Sequence, residues 1–237
     1  MEARNRQELS KEQPPKASKW PRTERRQARL RHVLEKRQPD LTIVLENVHD
    51  VHNASAVLRS CDATGVLGVH LVYTDEAPPE RAFNRVTGAG ASKWIELHRH
   101  ASIADCYRVL REQGFRIYAT ALRAESSSIY DIDFTVPVAV VFGNEQRGVP
   151  DLAIDLADGT LHIPMMGVVE SLNISVACAV TLYEAARQRL ARTEELAARG
   201  TAARQTLDDD RAGFESAKAA VAAAEAQVAA ADAAIGA

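Results

Sequence analysis

Three short polar clusters stand at the ends of apolar runs in this chain. Polar groups in such places can hold and orient a small molecule. The first is Asn53 with Arg59; the second is GNEQRG, Gly143 to Gly148, carrying Asn144, Glu145 and Arg147; the third is MMGVVESLN, Met165 to Asn173, carrying Glu170, Ser171 and Asn173. Amides and hydroxyls both donate and accept hydrogen bonds, a carboxylate accepts them, and arginine offers a planar fork of donors. Each residue also has a plainer use. Asn53 and Ser171 can cap helices, Asn173 can satisfy a first turn, and Glu145 can pair with Arg147 in solvent. An Arg59–Asp62 surface pair would contribute only about 0.3 to 0.5 kcal/mol. On a regular helix Asn53 and Arg59 point about 120° apart, so they converge only on something large or from the helix end.

The elements that must position these clusters follow from periodicity. Leu41 to Val48 and Val138 to Phe142 read as strands, the latter apolar throughout and suited to burial on both faces. Ala54 to Thr64 reads as a helix closed by Gly65. Gly143 and Gly148 permit a tight turn, with Pro150 and Asp151 opening a further helix. Leu161 and Ile163 belong to a strand, and Leu172, Val176, Ala179, Val180 and Tyr183 recur at helical spacing after Ser171 as N-cap. Val69 to Tyr73, Trp94 to Leu97 and Phe115 to Leu122 read as further strands, and Ile103 to Gln113 as a helix ended by Gly114. Polar loops at successive strand ends are what the edge of an open α/β sheet uses to surround a ligand.

Several functions are excluded by what is missing. No acidic residue follows a GxGxxG, as dinucleotide binding in the Rossmann manner requires, and no GxxxxGK[ST] phosphate loop occurs. No apolar run approaches the eighteen residues or so of a membrane span, and the N-terminus lacks the apolar core of a secretory signal. Cys61, Cys106 and Cys178 are scattered through predicted helices, which points to reduced core thiols in a cytoplasmic protein. His49 with His52, and His98 with His100, lack the accompanying cysteine or carboxylate spacing of a metal site, so no metal is expected.

The three clusters resemble the motifs of a known family. The N-x5-R element of Asn53 and Arg59, the FGNE-x2-G loop of Phe142 to Gly148 and the IPM-x5-SLNISVA segment of Ile163 to Ala177 are similar to the three motifs of the SpoU/TrmH methyltransferases, members of the SPOUT superfamily. The resemblance covers roughly Pro39 to Leu190. RQPDL, Arg37 to Leu41, and LYEAARQR, Leu182 to Arg189, resemble the flanks of members that modify guanosine 18 of tRNA.

The resemblance implies a SPOUT α/β domain, a parallel sheet flanked by helices, whose C-terminal segment forms a deep trefoil knot; knots are otherwise nearly absent from proteins. It implies a homodimer that transfers a methyl group from S-adenosylmethionine to a ribose 2′-hydroxyl of tRNA, at guanosine 18 of the D-loop. Another tRNA or rRNA ribose is the alternative within the class, and a non-catalytic RNA-binding protein the alternative outside it. The cofactor would sit among Thr120, Leu122, Gly143, Asn144, Gly148, Ile163, Met165 and Leu172, held largely by backbone groups. Asn53, Arg59, Glu145, Ser171 and Asn173 would form the catalytic set. By family analogy Arg59 activates the hydroxyl, yet moving an arginine from a pKa near 13.8 to about 7 costs roughly 9 kcal/mol. Orientation and charge stabilisation, with a substrate phosphate as proton relay, is the preferred role.

Charge supports an RNA partner in one segment only. The net charge of −3 conceals 12 Lys plus Arg against 6 Asp plus Glu in residues 1–40, 12 against 18 in 41–190, and 5 against 8 in 191–237. These are the expected arm, methyltransferase domain and tail. Thr23 to Gln38 reads as a helix with Leu30, Val33 and Leu34 on one face, and Arg25, Arg26 and Arg29 are the expected phosphate contacts. Arg81 to Lys93, with Arg85, reads equally as an RNA-facing loop or a short helix with a glycine-rich exit. From Thr201 the chain turns alanine-rich; Leu207, Phe214, Val221, Val228 and Ile235 recur every seven residues, a thin helical stripe that Asp208 to Asp210 are expected to open.

Overall fold

The computed structural model describes residues 24–75, 77, 78, 83 and 95–235. They fall into two units divided after Glu35. In the first, helix α1 spans Glu24–Glu35. The side chains of Arg25, Arg26 and Arg29, and the whole of Arg85 and Lys93, lie outside the described residues. The helix stops short of Gln38, because Arg37 and Gln38 belong to the second unit and bond within it. Arg37 Nη2 meets Asp62 Oδ1 at 2.5 Å and its Nη1 donates to the Val66 carbonyl at 3.2 Å, while Gln38 Nε2 donates to the Thr64 carbonyl at 2.7 Å. Arg37 is thus buried, and Asp62 serves it instead of Arg59.

The second unit is a seven-stranded sheet with every paired register parallel. Its strands are β1 Leu41–Glu46, β2 Gly68–Val72, β3 Glu96–His100, β4 Arg116–Thr120, β5 Ser127–Ser128, β6 Val138–Phe142 and β7 Gly159–His162, in the order β3-β2-β1-β6-β4-β7-β5. β1 and β6 are buried along their whole length, as their unbroken apolar runs require, and form the centre. Helices α2 Val51–Thr64 and α5 Ile174–Ala198 cover one face, where Ile43 and Leu45 meet Val57, Leu58, Cys61, Cys178 and Leu182. Helices α3 Ile103–Glu112 and α4 Asp151–Leu156 cover the other, where Val44, Ala139 and Val141 meet Cys106, Tyr107, Leu110 and Ala153. The alternation of Val44 with Ile43 and Leu45 is the period-two signature of a strand between two layers. All three cysteines are free and buried. No described helix is long and apolar enough to cross a membrane.

Gly65 illustrates how tightly this unit closes. It ends α2 at φ 84°, and a Cβ there would lie 2.6 Å from the Lys36 carbonyl oxygen. Only glycine fits both demands.

The alanine-rich segment forms α6, Arg204–Ile235. It lies against α2 and α5: Ala217, Ala220 and Ala224 are buried, Val221 and Val228 adjoin Val176 and Ala179, and the Phe214 and Tyr183 rings sit 5.1 Å apart. Asp208 to Asp210 do not open this helix, which begins four residues earlier. Asp210 is instead drawn inward, accepting from Arg189 Nε at 2.8 Å and Thr193 Oγ1 at 2.5 Å.

Glu46, at the end of β1, is buried with one carboxylate oxygen unpartnered. Burial, and secondarily the charge of Asp75, pushes its carboxyl from 4.5 up to about 7. The folded protein therefore holds a proton between those values that the unfolded chain releases. Stability is lost as pH rises from about 4.5 to about 7, by about 3 kcal/mol. Glu46→Gln should stabilise the protein near pH 8 and flatten this slope. Urea unfolding across that range checks it, and an unchanged slope would dismiss Glu46 as its source.

Candidate active site

The site is built at the C-terminal ends of the parallel strands. Past β1 the chain turns at Asn47, the only non-glycine with positive φ among the described residues, at 53°. Asparagine tolerates that conformation. Asn47 Oδ1 accepts from Thr74 N at 2.9 Å, and its carbonyl accepts from Asn144 Nδ2 at 2.9 Å. Asn144 in turn folds its own loop, Oδ1 accepting from the backbone of Gln146 at 2.9 Å and Arg147 at 3.1 Å. Gly148 completes the turn at φ 69°, and a Cβ on Gly143 would fall 2.2 Å from the Gly148 carbonyl carbon. On the neighbouring strand Thr120 Oγ1 donates to the Val141 carbonyl at 2.9 Å, fixing where the β4 loop departs.

These loops and the segment after β7 enclose a cavity of about 690 Å³. Cofactor sites commonly occupy some 300 to 1,000 Å³. Thr120, Leu122, Gly143, Asn144, Gly148, Ile163, Met165 and Leu172 all line it, as do Asn53, Glu145, Ser171 and Asn173. Apolar side chains of Leu122, Phe142, Ile154 and Leu172 suit a flat base, and the loop backbones suit polar groups of a bound cofactor.

At the rim three distant segments meet. Asn53 Nδ2 donates to Glu145 Oε1 at 3.2 Å, and Asn173 Nδ2 donates to Asn53 Oδ1 at 3.1 Å. Asn53 does not cap α2. Asp50 does so, accepting from Asn53 N at 2.7 Å, because the carboxylate three residues earlier reaches the free N–H first. Its amide is therefore free to bridge the other two segments. Nor is Ser171 a cap. Asn173 Oδ1 accepts from both Ser175 N at 2.9 Å and Ser175 Oγ at 2.7 Å, and α5 starts behind it, leaving Ser171 exposed on the cavity wall. Glu145 is not paired with Arg147, which turns to Asp75 at 3.0 Å.

Arg59 stands apart. It is exposed on α2, is not part of the cavity wall, and makes no side-chain hydrogen bond or ion pair among the described residues. Six residues beyond Asn53 amount to roughly 9 Å along the axis.

Two contributors had no strong signal in the sequence. Asn47 follows β1 without a turn signature, and its role depends on the asparagine ninety-seven residues away. Arg123 lines the cavity and pairs with Asp151 at 2.5 Å, a contact no local pattern encodes.

Comparison with known proteins places this architecture. Residues 40–183 match the SpoU rRNA Methylase family. The chain is 52% identical over 169 residues to the tRNA (guanosine(18)-2′-O)-methyltransferase of Thermus thermophilus, spanning 71% of this chain and 86% of that protein. Among solved structures it is similar to the Aquifex aeolicus TrmH/SpoU tRNA modifying enzyme, with 34% identity, a TM-score of 0.64, and coverage of 81% and 96% of the two chains. It is also similar to the SpoU methyltransferase AviRb from Streptomyces viridochromogenes in complex with AdoMet, with 27% identity, a TM-score of 0.56, and coverage of 65% and 62%. The match over most of the sheet, together with the motif loops that line the cavity, shows that the chain belongs to the SpoU methylase family.

Proposed function

We propose that this protein is a tRNA (guanosine(18)-2′-O)-methyltransferase that uses S-adenosylmethionine. The observation that carries the reading is the Glu145–Asn53–Asn173 chain, which joins the three motif segments at the mouth of one cavity. Held by the loops that line the cavity, S-adenosylmethionine would supply an electrophilic methyl group for the ribose hydroxyl. The protein's own task is alignment and removal of the hydroxyl proton. Asn53 and Asn173 present amides that orient the ribose, and Glu145 fixes the Asn53 amide so that its other face stays available. Arg59 holds a phosphate beside the acceptor oxygen, and that phosphate receives the proton. Burying a free arginine base would be far costlier.

The functional form in this reading is a homodimer. Its support is that Arg59 is exposed away from the cavity of its own chain, while Met166 and Val168 beside the cavity are almost fully exposed, an arrangement a second copy would complete. The trefoil knot belongs to the same reading, supported by family membership and by β7 lying between β4 and β5. A tRNA substrate accords with a cytoplasmic location.

Incubating the purified protein with labelled cofactor and a tRNA transcript, then locating the methyl by mass spectrometry, tests the assignment. Replacing the guanosine 18 ribose with its 2′-deoxy form should abolish incorporation. Label on another nucleotide of native tRNA would overturn the site, and no label on any tRNA would overturn the activity.

The asparagine and serine positions now separate. Asn173→Ala should cost about 1 kcal/mol of stability through loss of the cap and should lower turnover as well. Ser171→Ala should leave stability unchanged, because it caps nothing. Thermal melts beside single-turnover rates check both, and a destabilised Ser171→Ala variant would contradict the cap assignment.

A further inference from the structure

On the opposite side of the sheet from α2, strand register brings three histidines together. His70 on β2 pairs in register with His98 on β3, and His100 follows two residues on, so all three project from one face toward α3. The His70 ring stacks on His98 at 4.7 Å and on His100 at 5.1 Å, and His70 Nδ1 lies 2.8 Å from His100 Nε2. Cys106, fully buried in the first half of α3, completes the group: the His70, His100 and Cys106 donor atoms all lie within 4.8 Å of one another. None of the three lines the cofactor cavity.

We propose that His70, His100 and Cys106 form a binding site for one divalent transition-metal ion of the zinc type, separate from the methyl-transfer site. An N,N,S donor set is what zinc takes, with bonds of about 2.0 to 2.1 Å to nitrogen and 2.3 Å to sulfur. Tetrahedral bonds of those lengths set donors roughly 3.3 to 3.7 Å apart. The two ring nitrogens must open slightly and the sulfur close slightly. Their mutual hydrogen bond is given up, Cys106 releases its thiol proton to solvent, and the fourth position is left to water.

A second observation points the same way. His100 Nδ1 faces Asp105 Oδ2 at 3.6 Å, which directs Nε2 toward His70 and Cys106. A carboxylate behind a histidine is the usual outer-shell partner of a metal ligand, setting tautomer and ring orientation. Asp105 is itself held by Arg108 at 2.6 Å and acts as orienter, not as ligand. Arg108 opposes a cation, but its charge is shared between Asp105 and Glu112.

The ion would pin an edge. Among the described residues β3 is the outermost strand on its side and is largely exposed, with only β2 beside it. Ligation through His100 and Cys106 would tie it both to β2 and to α3.

Cobalt(II) and zinc(II) titrations of the reduced full-length protein test the proposal. Expected are one cobalt per chain, a thiolate-to-cobalt charge-transfer band in the near ultraviolet, and displacement of that cobalt by zinc. Cys106→Ala should lose the band and weaken binding at least tenfold, whereas Cys178→Ala should keep both. Should Cys106→Ala fail to fold by circular dichroism, His100→Gln provides the same readout. Zinc should raise the Tm of the native protein but not of these site variants. Absence of the band in the native protein, or its persistence in Cys106→Ala, would overturn the site and leave a simple histidine hydrogen-bond cluster.

Discussion

Arg59→Ala should reduce single-turnover methyl transfer by roughly 10³-fold or more while leaving affinity for S-adenosylhomocysteine within a few-fold of the native protein. The asymmetry follows from placement. The loops that line the cavity are held by Asn47, Asn144, Thr120 and Asn173, and none of their hydrogen bonds involves Arg59. Its side chain is exposed, so truncation should change stability by no more than about 0.5 kcal/mol. Loss of activity with an unchanged melting curve would therefore report chemistry and not folding. Arg59→Lys should fail almost as badly, because a point charge cannot reproduce the two parallel hydrogen bonds of a guanidinium on a phosphate. Isothermal titration beside rapid-quench kinetics decides it, and near-normal turnover in Arg59→Ala would remove the residue from the mechanism.

What the sequence made legible, and what it did not, divides along physical lines. The central strands were readable because β1 and β6 are buried on both faces and carry unbroken apolar runs. The cavity residues, among them Thr120, Leu122, Ile163 and Met165, were placed together by the resemblance to known motifs and not by local pattern, and all of them line the one cavity. Caps stay ambiguous in the sequence where two residues compete for one role, and the expected Ser171 cap falls to Asn173. Asp50 and Asn53, and likewise Ser171 and Asn173, are both chemically able to cap, and only backbone geometry awards the position. Arg37 looked like part of a solvated basic helix, yet it is buried against Asp62, because local periodicity contains nothing about a carboxylate twenty-five residues away. The histidine cluster was invisible for the same reason: His70, His100 and Cys106 share no spacing, and only the β2–β3 register and the helix above bring them together.

Neutralising Arg25, Arg26 and Arg29 and removing residues 1–21 should weaken tRNA binding and flatten its dependence on salt. Each phosphate that the protein no longer neutralises lowers the slope of log K against log salt by about 0.7 to 0.9. Three arginines that each met one phosphate would thus account for roughly 2 to 3 of the slope. The basis is electrostatic: residues 1–40 carry the positive excess, while 41–190 hold 12 Lys plus Arg against 18 Asp plus Glu. Within the folded unit further cations are already committed, Arg37 to Asp62, Arg108 to Asp105, Arg111 to Asp158 and Arg189 to Asp210, which leaves fewer for phosphate. Cofactor affinity should survive, since every residue lining the cavity lies in the second unit. Deleting the tail is a poor control, because α6 covers Val176 and Ala179 and its loss would bare them. Glu215→Gln, an exposed change on α6, is the better one and should leave the slope unaltered. Filter-binding titrations across several salt concentrations decide the matter. An unchanged slope in the arm variant would mean that tRNA is gripped by the second unit alone, and that the basic excess of the arm serves something other than RNA.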